Sequence, residues 1–434
     1  MKLTRYIATL LTALIVGSCS TTEVAKQGGT LSDFQKQIGT LNALLVENPR
    51  NAGGLRDLGI IHYQVRLYRE ALGYLKRSYD IDPDDPRQLF YHGMVLEELG
   101  NPQAALGIYL SYTEAPSGSG YKSLLEGRYR ALTRDAIQNQ IRERVAGEQQ
   151  LNDGEMAEGT IAVFPLAYQG KEQKYEAIGY GLGELIVTDL GKVSKLKAVE
   201  RLRMDALQQE LALGQTGRVD PATAPRVGKL LKAGRIVSGT YDVSSAQVLR
   251  LDYSLANAVK KRFPDPQSKS DDLENLFRVE KDIVFELVKN MGITLTRAER
   301  EDIERVPTKN LQAFILYSIG LEKESQRDFR TAASYYGQAA ELDPSFEQAK
   351  TKASANSALA VAGNPGDALQ AAELINPPFS ADGPDLVQKR LQNLGNMTGS
   401  SFFPGEDHRE SVEEAARAGA AVRDLPGPPP PPRP

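Results

Sequence analysis

Thr160-Ile161-Ala162-Val163-Phe164-Pro165-Leu166 is an unbroken apolar run, the pattern of a strand covered on both faces. The chain on either side of it keeps changing period. Ala177 to Val193 carries Ile178, Leu182, Leu185, Ile186 and Leu190 on one stripe, which predicts a helix. Leu196 to Leu202 suits a second strand and Met204 to Leu213 a second helix, while Pro221 and Pro225 flank the start of a third helix ending near Lys232. Ile236 to Val243 and Val248 to Asn257 then read as a hairpin. Its second strand alternates Leu249, Leu251, Tyr253 and Leu255 against Arg250, Asp252 and Ser254. This order predicts a three-layer α/β domain with a mixed sheet.

Outside that core the chain repeats itself. Counting back from the Asp-Pro pairs at Pro83 and Pro344 recovers one 34-residue pattern. The first copy opens at Asn51-Ala52 and carries Leu55, Leu58, Gly59, Ala71, Leu75, Ser78 and Pro83. Residues 86–119 repeat it with Leu89, His92, Gly93, Leu96, Ala105, Tyr109 and Tyr112. Residues 313–346 give Leu316, Ile319, Gly320, Ala332, Tyr336, Ala339 and Pro344. These copies resemble tetratricopeptide repeats, in which a small residue at the eighth place lets two helices approach. Leu31 to Pro49 supplies a helix before the first copy, Leu124 to Gln149 a closing helix, and Glu347 to Leu374 a degraded repeat that turns at Gly363 to Leu369. One such unit cannot bury its own apolar face, so neighbours must stack. The resemblance implies a concave wall for a partner protein, drawn from Arg56, Ile60, Tyr63, Gln64, Phe90, Met94, Glu97 and Glu98. For each of these, packing against the middle domain is the competing expectation.

The middle domain carries a resemblance of its own. Val199-Glu200-Arg201, Leu207 to Leu211, Gly217-Arg218-Val219-Asp220, Val227 to Leu231 and Ile236 to Tyr241 are similar in order and spacing to the curli assembly/transport (CsgG/HfaB) family. The similarity covers about residues 158–257. The amino-terminal domain of the TolB translocation protein, which stays in the periplasm, shares the architecture. Leu295 to Glu299 through Pro307 to Phe314 resembles the joint by which such domains lead into tetratricopeptide repeats. The resemblance implies an outer-membrane lipoprotein that helps export or assemble surface structures. Members of the family form rings that insert a β-barrel. A spanning hairpin needs two strands of about 9–11 residues with alternating polarity. Val248 to Asn257 could serve, but Ile236 to Val243 is short and carries Gly239, and the loop from Tyr168 to Tyr175 lacks an Asn-Phe constriction. A soluble relative is therefore expected ahead of a pore.

Lys2 and Arg5, the apolar stretch Tyr6 to Val16 and the small residues of Val16-Gly17-Ser18-Cys19 together read as a signal segment. Cys19 is the sole cysteine. It cannot form an internal disulfide, and its position resembles the lipidated cysteine of a bacterial lipobox. Ser20 after it implies sorting to the outer membrane, with acyl chains supplying a stable anchor. With Lys2 and Arg5 removed, 50 basic residues face 56 acidic ones, a net charge of −6 without any basic block. Nucleic-acid binding therefore lacks electrostatic support.

Chemistry-bearing motifs are sparse. Gly179-Tyr180-Gly181-Leu182-Gly183 invites a phosphate-loop reading, but its third glycine comes one residue too early for a dinucleotide fingerprint, and no Lys-Ser/Thr pair follows. Close helix–sheet packing is the expectation there. His62 and His92 lack carboxylate or cysteine companions at metal-ligand spacing and are expected to pack. Glu200-Arg201 could be a catalytic pair, although a strand-end salt bridge is the commoner explanation. Pro428 to Pro434 favours an extended polyproline helix.

The expectation is thus a multi-domain α and α/β chain. Its segments are a signal peptide (1–19), a repeat block (31–150), a CsgG-like domain (158–294), further repeats (308–375) and a tail (376–434). Its expected role is a non-enzymatic scaffold or accessory factor for envelope assembly or secretion, without cofactor or metal. It would be lipid-anchored at the outer membrane facing the periplasm, bind envelope or secretion proteins, and self-associate as an option. An oligomeric secretion channel is the alternative.

Overall fold

The computed structural model describes residues 31–211 and 223–376. The signal segment with Cys19, the block Gly217 to Asp220 and the tail from 377 onward lie outside the described residues. The chain divides into two compact units. Among the described residues, one holds 31–132 together with 361–376, and the other holds 133–211 and 223–360. The expected carboxyl-terminal repeat segment, 308–375, is thus shared between the units.

The helical unit begins with α1 (Leu31–Glu47), α2 (Ala52–Gln64), α3 (Tyr68–Tyr79), α4 (Pro86–Glu98) and α5 (Pro102–Tyr109). The first stretch of the long helix α6 (Gly120–Ala146) and the helix α15 (Pro365–Ile375) complete it. Its starts are legible chemistry. Asn51, Asp85 and Asn101 cap α2, α4 and α5 by accepting backbone N–H bonds, and Pro86 and Pro102 occupy first-turn positions where no N–H is needed. The helices pair where a small residue removes a barrier. A Cβ on Gly59 would lie 2.5 Å from Leu75, and one on Gly93 would lie 2.2 Å from the Tyr109 ring. The turns that close α2 and α4 each place one residue in the left-handed region, Arg66 at φ 62° and Gly100 at φ 72°.

The second unit is built on one sheet. Its strands are β1 (Ala157–Val163), β2 (Ala167–Tyr168), β3 (Lys197–Ala198), β4 (Ala233–Val243), β5 (Val248–Asn257) and β6 (Gln267–Asp272). The order is β3-β1-β4-β5-β6, with β2 also paired to β4. The β1, β2 and β3 pairings are parallel, whereas β4–β5 and β5–β6 are antiparallel, so the sheet is mixed as expected. Helices α7 (Ile178–Gly191), α8 (Arg201–Leu211), α9 (Ala224–Leu231) and α10 (Leu276–Asn290) cover it, followed by α11 (Arg297–Glu304), α12 (Leu311–Ser325), α13 (Phe329–Leu342) and α14 (Glu347–Ala362).

Alternation along the strands makes two cores. Ile161, Val163, Val237 and Tyr241 face one side with α7, α10 and Phe314 of α12. Ala162, Phe164 and Ile236 face the other with α8, α9 and Ile137 and Ile141 of α6. The result is a three-layer α/β arrangement. At Gly320 a Cβ would lie 2.6 Å from Tyr336, so α12 and α13 approach as closely as the pairs in the helical unit.

Three local readings change. The strand expected over Leu196 to Leu202 shrinks to Lys197–Ala198, because β3 is an edge paired only to β1 and the Glu200 carbonyl already accepts bonds that start α8. The short partner expected at Ile236 to Val243 is an 11-residue strand beginning at Ala233. Length therefore does not separate this hairpin from a spanning one. Burial is informative instead: Leu249, Leu251 and Tyr253 share one core cluster with Leu276, Val279, Ile283 and Leu287 of α10. Finally, β6 and α10 add a strand and a helix to the α/β order that the sequence suggested.

Candidate functional site

The glycine-rich start of α7 is a packing device. A Cβ on Gly179 would come within 1.8 Å of the Leu166 carbonyl oxygen, and one on Gly181 within 2.1 Å of Ser318 Oγ. The Gly179 N–H donates to Tyr241 Oη at 3.0 Å, and that hydroxyl donates onward to the Tyr175 and Glu176 carbonyls. The glycines hold α7 against β2, β4 and α12, leaving their neighbourhood filled by protein.

Glu200-Arg201 leads into a buried ionic cluster. Glu324 of α12 is 3% exposed. Its carboxylate lies 2.5 Å from Arg201 and 3.5 Å from Lys352, pairs with Arg134, and accepts the Tyr336 hydroxyl at 2.7 Å. Arg201 also meets Asp205 at 3.2 Å and Glu184 at 3.5 Å. Burial pushes the Glu324 carboxyl up, but Arg201, Lys352 and Arg134 outweigh burial and hold it well below the usual range. Burial keeps Asp205 raised against the pull of Arg201 and Arg134. The cluster joins α6, α7, α8, α12, α13 and α14, a fastening role, with Glu324 and Asp205 buried at its centre and Glu184 and Lys352 partly exposed at its edge.

A second buried set lies between α7 and α10. Lys281 pairs with Asp189 and lies 3.2 Å from Glu280, while Lys192 lies 2.7 Å from Asp189. Burial first, then Asp189, push the Glu280 carboxyl from 4.5 up to about 8, against the pull of Lys281. The folded chain thus holds this proton more tightly than the unfolded chain. The contribution of this group to stability is full below about pH 4.5 and declines as pH rises toward 8. Glu280→Gln is expected to flatten that decline and to raise stability at pH 8 by about 2 kcal/mol. Urea unfolding of wild type and variant from pH 5 to 9 measures it, and parallel curves would refute the assignment.

The residues expected to form a partner-binding wall divide into three groups. Ile60, Phe90 and Met94 are buried to within 1% and cannot meet a partner. For Phe90 the reason is in the chain itself. Tyr121 of α6 packs on Phe90 with ring centres 5.8 Å apart, and Gly120 abuts Ile375 of α15. Arg56 and Glu97 are structural ties. Arg56 bonds to Asp57 at 2.9 Å and Asp85 at 2.6 Å. Glu97 accepts Tyr109 at 2.7 Å and takes both Nε and a terminal nitrogen of Arg128. Arg128 goes on to bond the Ala362 and Gly363 carbonyls. The third group, Tyr63, Gln64 and Glu98, lines a cleft of about 280 Å³. Arg66 from the α2–α3 turn, Tyr68 at the start of α3, and Leu369 and Glu373 of α15 complete its wall; the repeat pattern placed none of these four there. Burial pushes the Tyr63 phenol above its usual range, and Glu98 adds to the effect.

His62 and His92 are packing residues. His62 sits 2.7 Å from the Leu58 carbonyl and 4.9 Å from the Tyr74 ring. Burial, helped by Lys76, pushes His92 down to about 4. Among the described residues no group of three or more His, Cys, Asp or Glu is placed to hold a metal ion, and no helix is long and apolar enough to cross a membrane.

Two comparisons with known proteins bear on these observations. Residues 157–244 match the family described as curli production assembly/transport component CsgG. The match runs from β1 to the end of β4, through the glycine contact at α7 and Arg201. The curated proteins contain no match to the chain.

Proposed function

We propose that the chain is a non-enzymatic envelope protein of the assembly or transport class, working as a periplasmic scaffold through protein–protein contacts. The observation that carries this reading is the CsgG match over 157–244, which falls on the sheet and its covering helices. In this reading the helix pairs are tetratricopeptide repeats, the partners are envelope or secretion proteins, and Cys19 bears the lipid that holds the chain at the outer membrane. The ionic cluster around Glu324 supports a rigid body presenting surfaces rather than a site performing chemistry, since its charged groups are consumed by one another.

A secretion channel is the second reading, favoured by the lengths of β4 and β5, 11 and 10 residues. Against it stands the core that their apolar face shares with α10, because insertion would require that core to open at a cost of many buried side chains.

Reconstitution into liposomes separates the two. The scaffold reading expects no conductance, together with crosslinked envelope proteins that co-purify from membranes. Conducting rings would overturn it. Labelling with a fatty-acid analogue tests the anchor: wild type is expected to take up label and Cys19→Ser to lose it, and label retained by the variant would sink the lipid assignment.

A further inference from the structure

Among the described residues, three carboxylates where the chain enters β1 are each shared by two cations. Asp153 lies 2.7 Å from Lys229 and 3.5 Å from Lys261. Glu155 lies 3.2 Å from Arg144 and 3.6 Å from Lys232, and Glu158 lies 3.0 Å from Lys260 and 3.8 Å from Arg235. One carboxylate neutralises one cation, so six cations on three carboxylates leave three positive charges over, on a chain that is acidic as a whole. The cations come from α6, the end of α9, β4 and the turn after β5, so the fold assembles a basic patch that no single stretch of sequence carries. Lys232, Lys260 and Lys261 expose 59%, 63% and 65% of their side chains. Ion pairs this exposed are weak, and they leave the lysines available to an outside anion. The turn after β5 is built to project. Ala258 is fully buried and Phe263 packs on the same core, while backbone bonds of 2.9 and 3.0 Å between Asn257 and Arg262 close the loop. The Asn257 side chain accepts the Lys260 N–H at 2.8 Å, and Lys261 takes φ 51°. Between these fixed ends Val259 is 37% exposed, an apolar side chain beside two lysines.

We infer that this face docks on a phospholipid surface bearing anionic headgroups. Val259 enters the headgroup boundary, and Lys229, Lys232, Lys260 and Lys261 meet lipid phosphates while their aliphatic stems lie against the interface. An acidic protein or a free phosphate would use the cations but give Val259 no partner. Lysines spread over a face also act as separate point charges, which suits a charged surface better than one convergent anion. The inference rests on the membrane-anchored reading above and states which face of the α/β unit turns to the bilayer.

The test uses the full chain carrying Cys19→Ser, so that no acyl group can hold it to lipid. Co-sedimentation with vesicles of phosphatidylglycerol and phosphatidylcholine in equal parts is expected to show binding about tenfold tighter than with phosphatidylcholine alone. Added salt should weaken that binding, because the patch is exposed and screened. Lys260→Glu combined with Lys261→Glu is expected to lose about tenfold, and Val259→Ser about threefold. Arg297→Glu combined with Arg305→Glu makes the same charge change on exposed side chains elsewhere in the unit and should bind as the parent does. Equal binding to the two vesicles, undiminished binding by the lysine variant, or an equal loss in the arginine variant would overturn the inference. Displacement by inorganic phosphate at matched ionic strength would overturn it in favour of a free anion, and tighter binding of polyglutamate than of vesicles in favour of an acidic protein. Acyl label on the wild type without vesicle binding by Cys19→Ser would sink this face alone. Vesicle binding by Cys19→Ser without label on the wild type would sink the anchor and leave the face standing.

Discussion

Glu324→Ala is expected to destabilise the α/β unit by about 3–5 kcal/mol, which is the cost of removing one partner from a buried ion cluster. The loss does not measure what the ion pairs contribute. It comes from what is left behind: Arg134 and Arg201 would stay buried without their shared carboxylate, and the Tyr336 hydroxyl would lose its acceptor. Glu324→Gln keeps the volume but drops the charge, so it should fall between wild type and alanine. A double-mutant cycle with Arg201→Met gives the sharper readout. Removing both members should cost less than the two single changes added together, because the orphaned charge disappears with its counter-ion. Chemical denaturation measures all four proteins. Additive single and double losses, or a Glu324→Ala loss under about 1 kcal/mol, would show that water reaches the cluster and screens it.

Gly179→Ala is expected to cost about 3 kcal/mol, although alanine favours a helix more than glycine does. Two effects oppose each other, and distance decides between them. Alanine should contribute about 0.5–1 kcal/mol at a helical glycine with open space around it. At Gly179 the new methyl would meet the Leu166 carbonyl oxygen at 1.8 Å, and backbone cannot swing aside as a flexible side chain can. The same Leu166 donates its N–H to the Gly179 carbonyl at 3.2 Å, so displacing α7 also breaks that bond. Gly337 in α13 has nothing within 4 Å and provides the control. Gly337→Ala is expected to raise stability by the amount just given, while Gly179→Ala lowers it. Thermal unfolding of the pair tests the assignment of Gly179 to packing. A Gly179→Ala protein as stable as wild type would reopen the ligand reading of the glycine-rich turn.

Local patterns were sufficient where the physics is local. The apolar run Thr160 to Leu166, the stripe of Ile178, Leu182, Leu185 and Leu190, and the alternation from Leu249 to Leu255 each report a period that a helix or strand imposes on its own residues. Gly59, Gly93 and Gly320 were legible for the same reason, since close helix approach demands a small residue at a set place in the repeat. β6 was not legible. Gln267 to Asp272 is a polar edge strand, and charges that discourage association at an open edge also erase the usual alternation. The stripe Leu276, Val279, Ile283 and Leu287 of α10 does carry a helical period, so this helix is legible in the chain.

For the candidate site, the sequence by itself determined that Arg56, Ile60, Tyr63, Gln64, Phe90, Met94, Glu97 and Glu98 lie on the first helices of the repeat pattern, because position along a helix follows from counting. Only the tertiary structure decided which of them remain available. Tyr121 of α6 comes from far along the chain and packs on Phe90. Ile60 and Met94 are buried as well, and Gln64 is left unpaired at the wall of a cleft to which Leu369 and Glu373 of α15 contribute. Helical period is a property of neighbours, whereas exposure depends on which distant segment returns to cover a face.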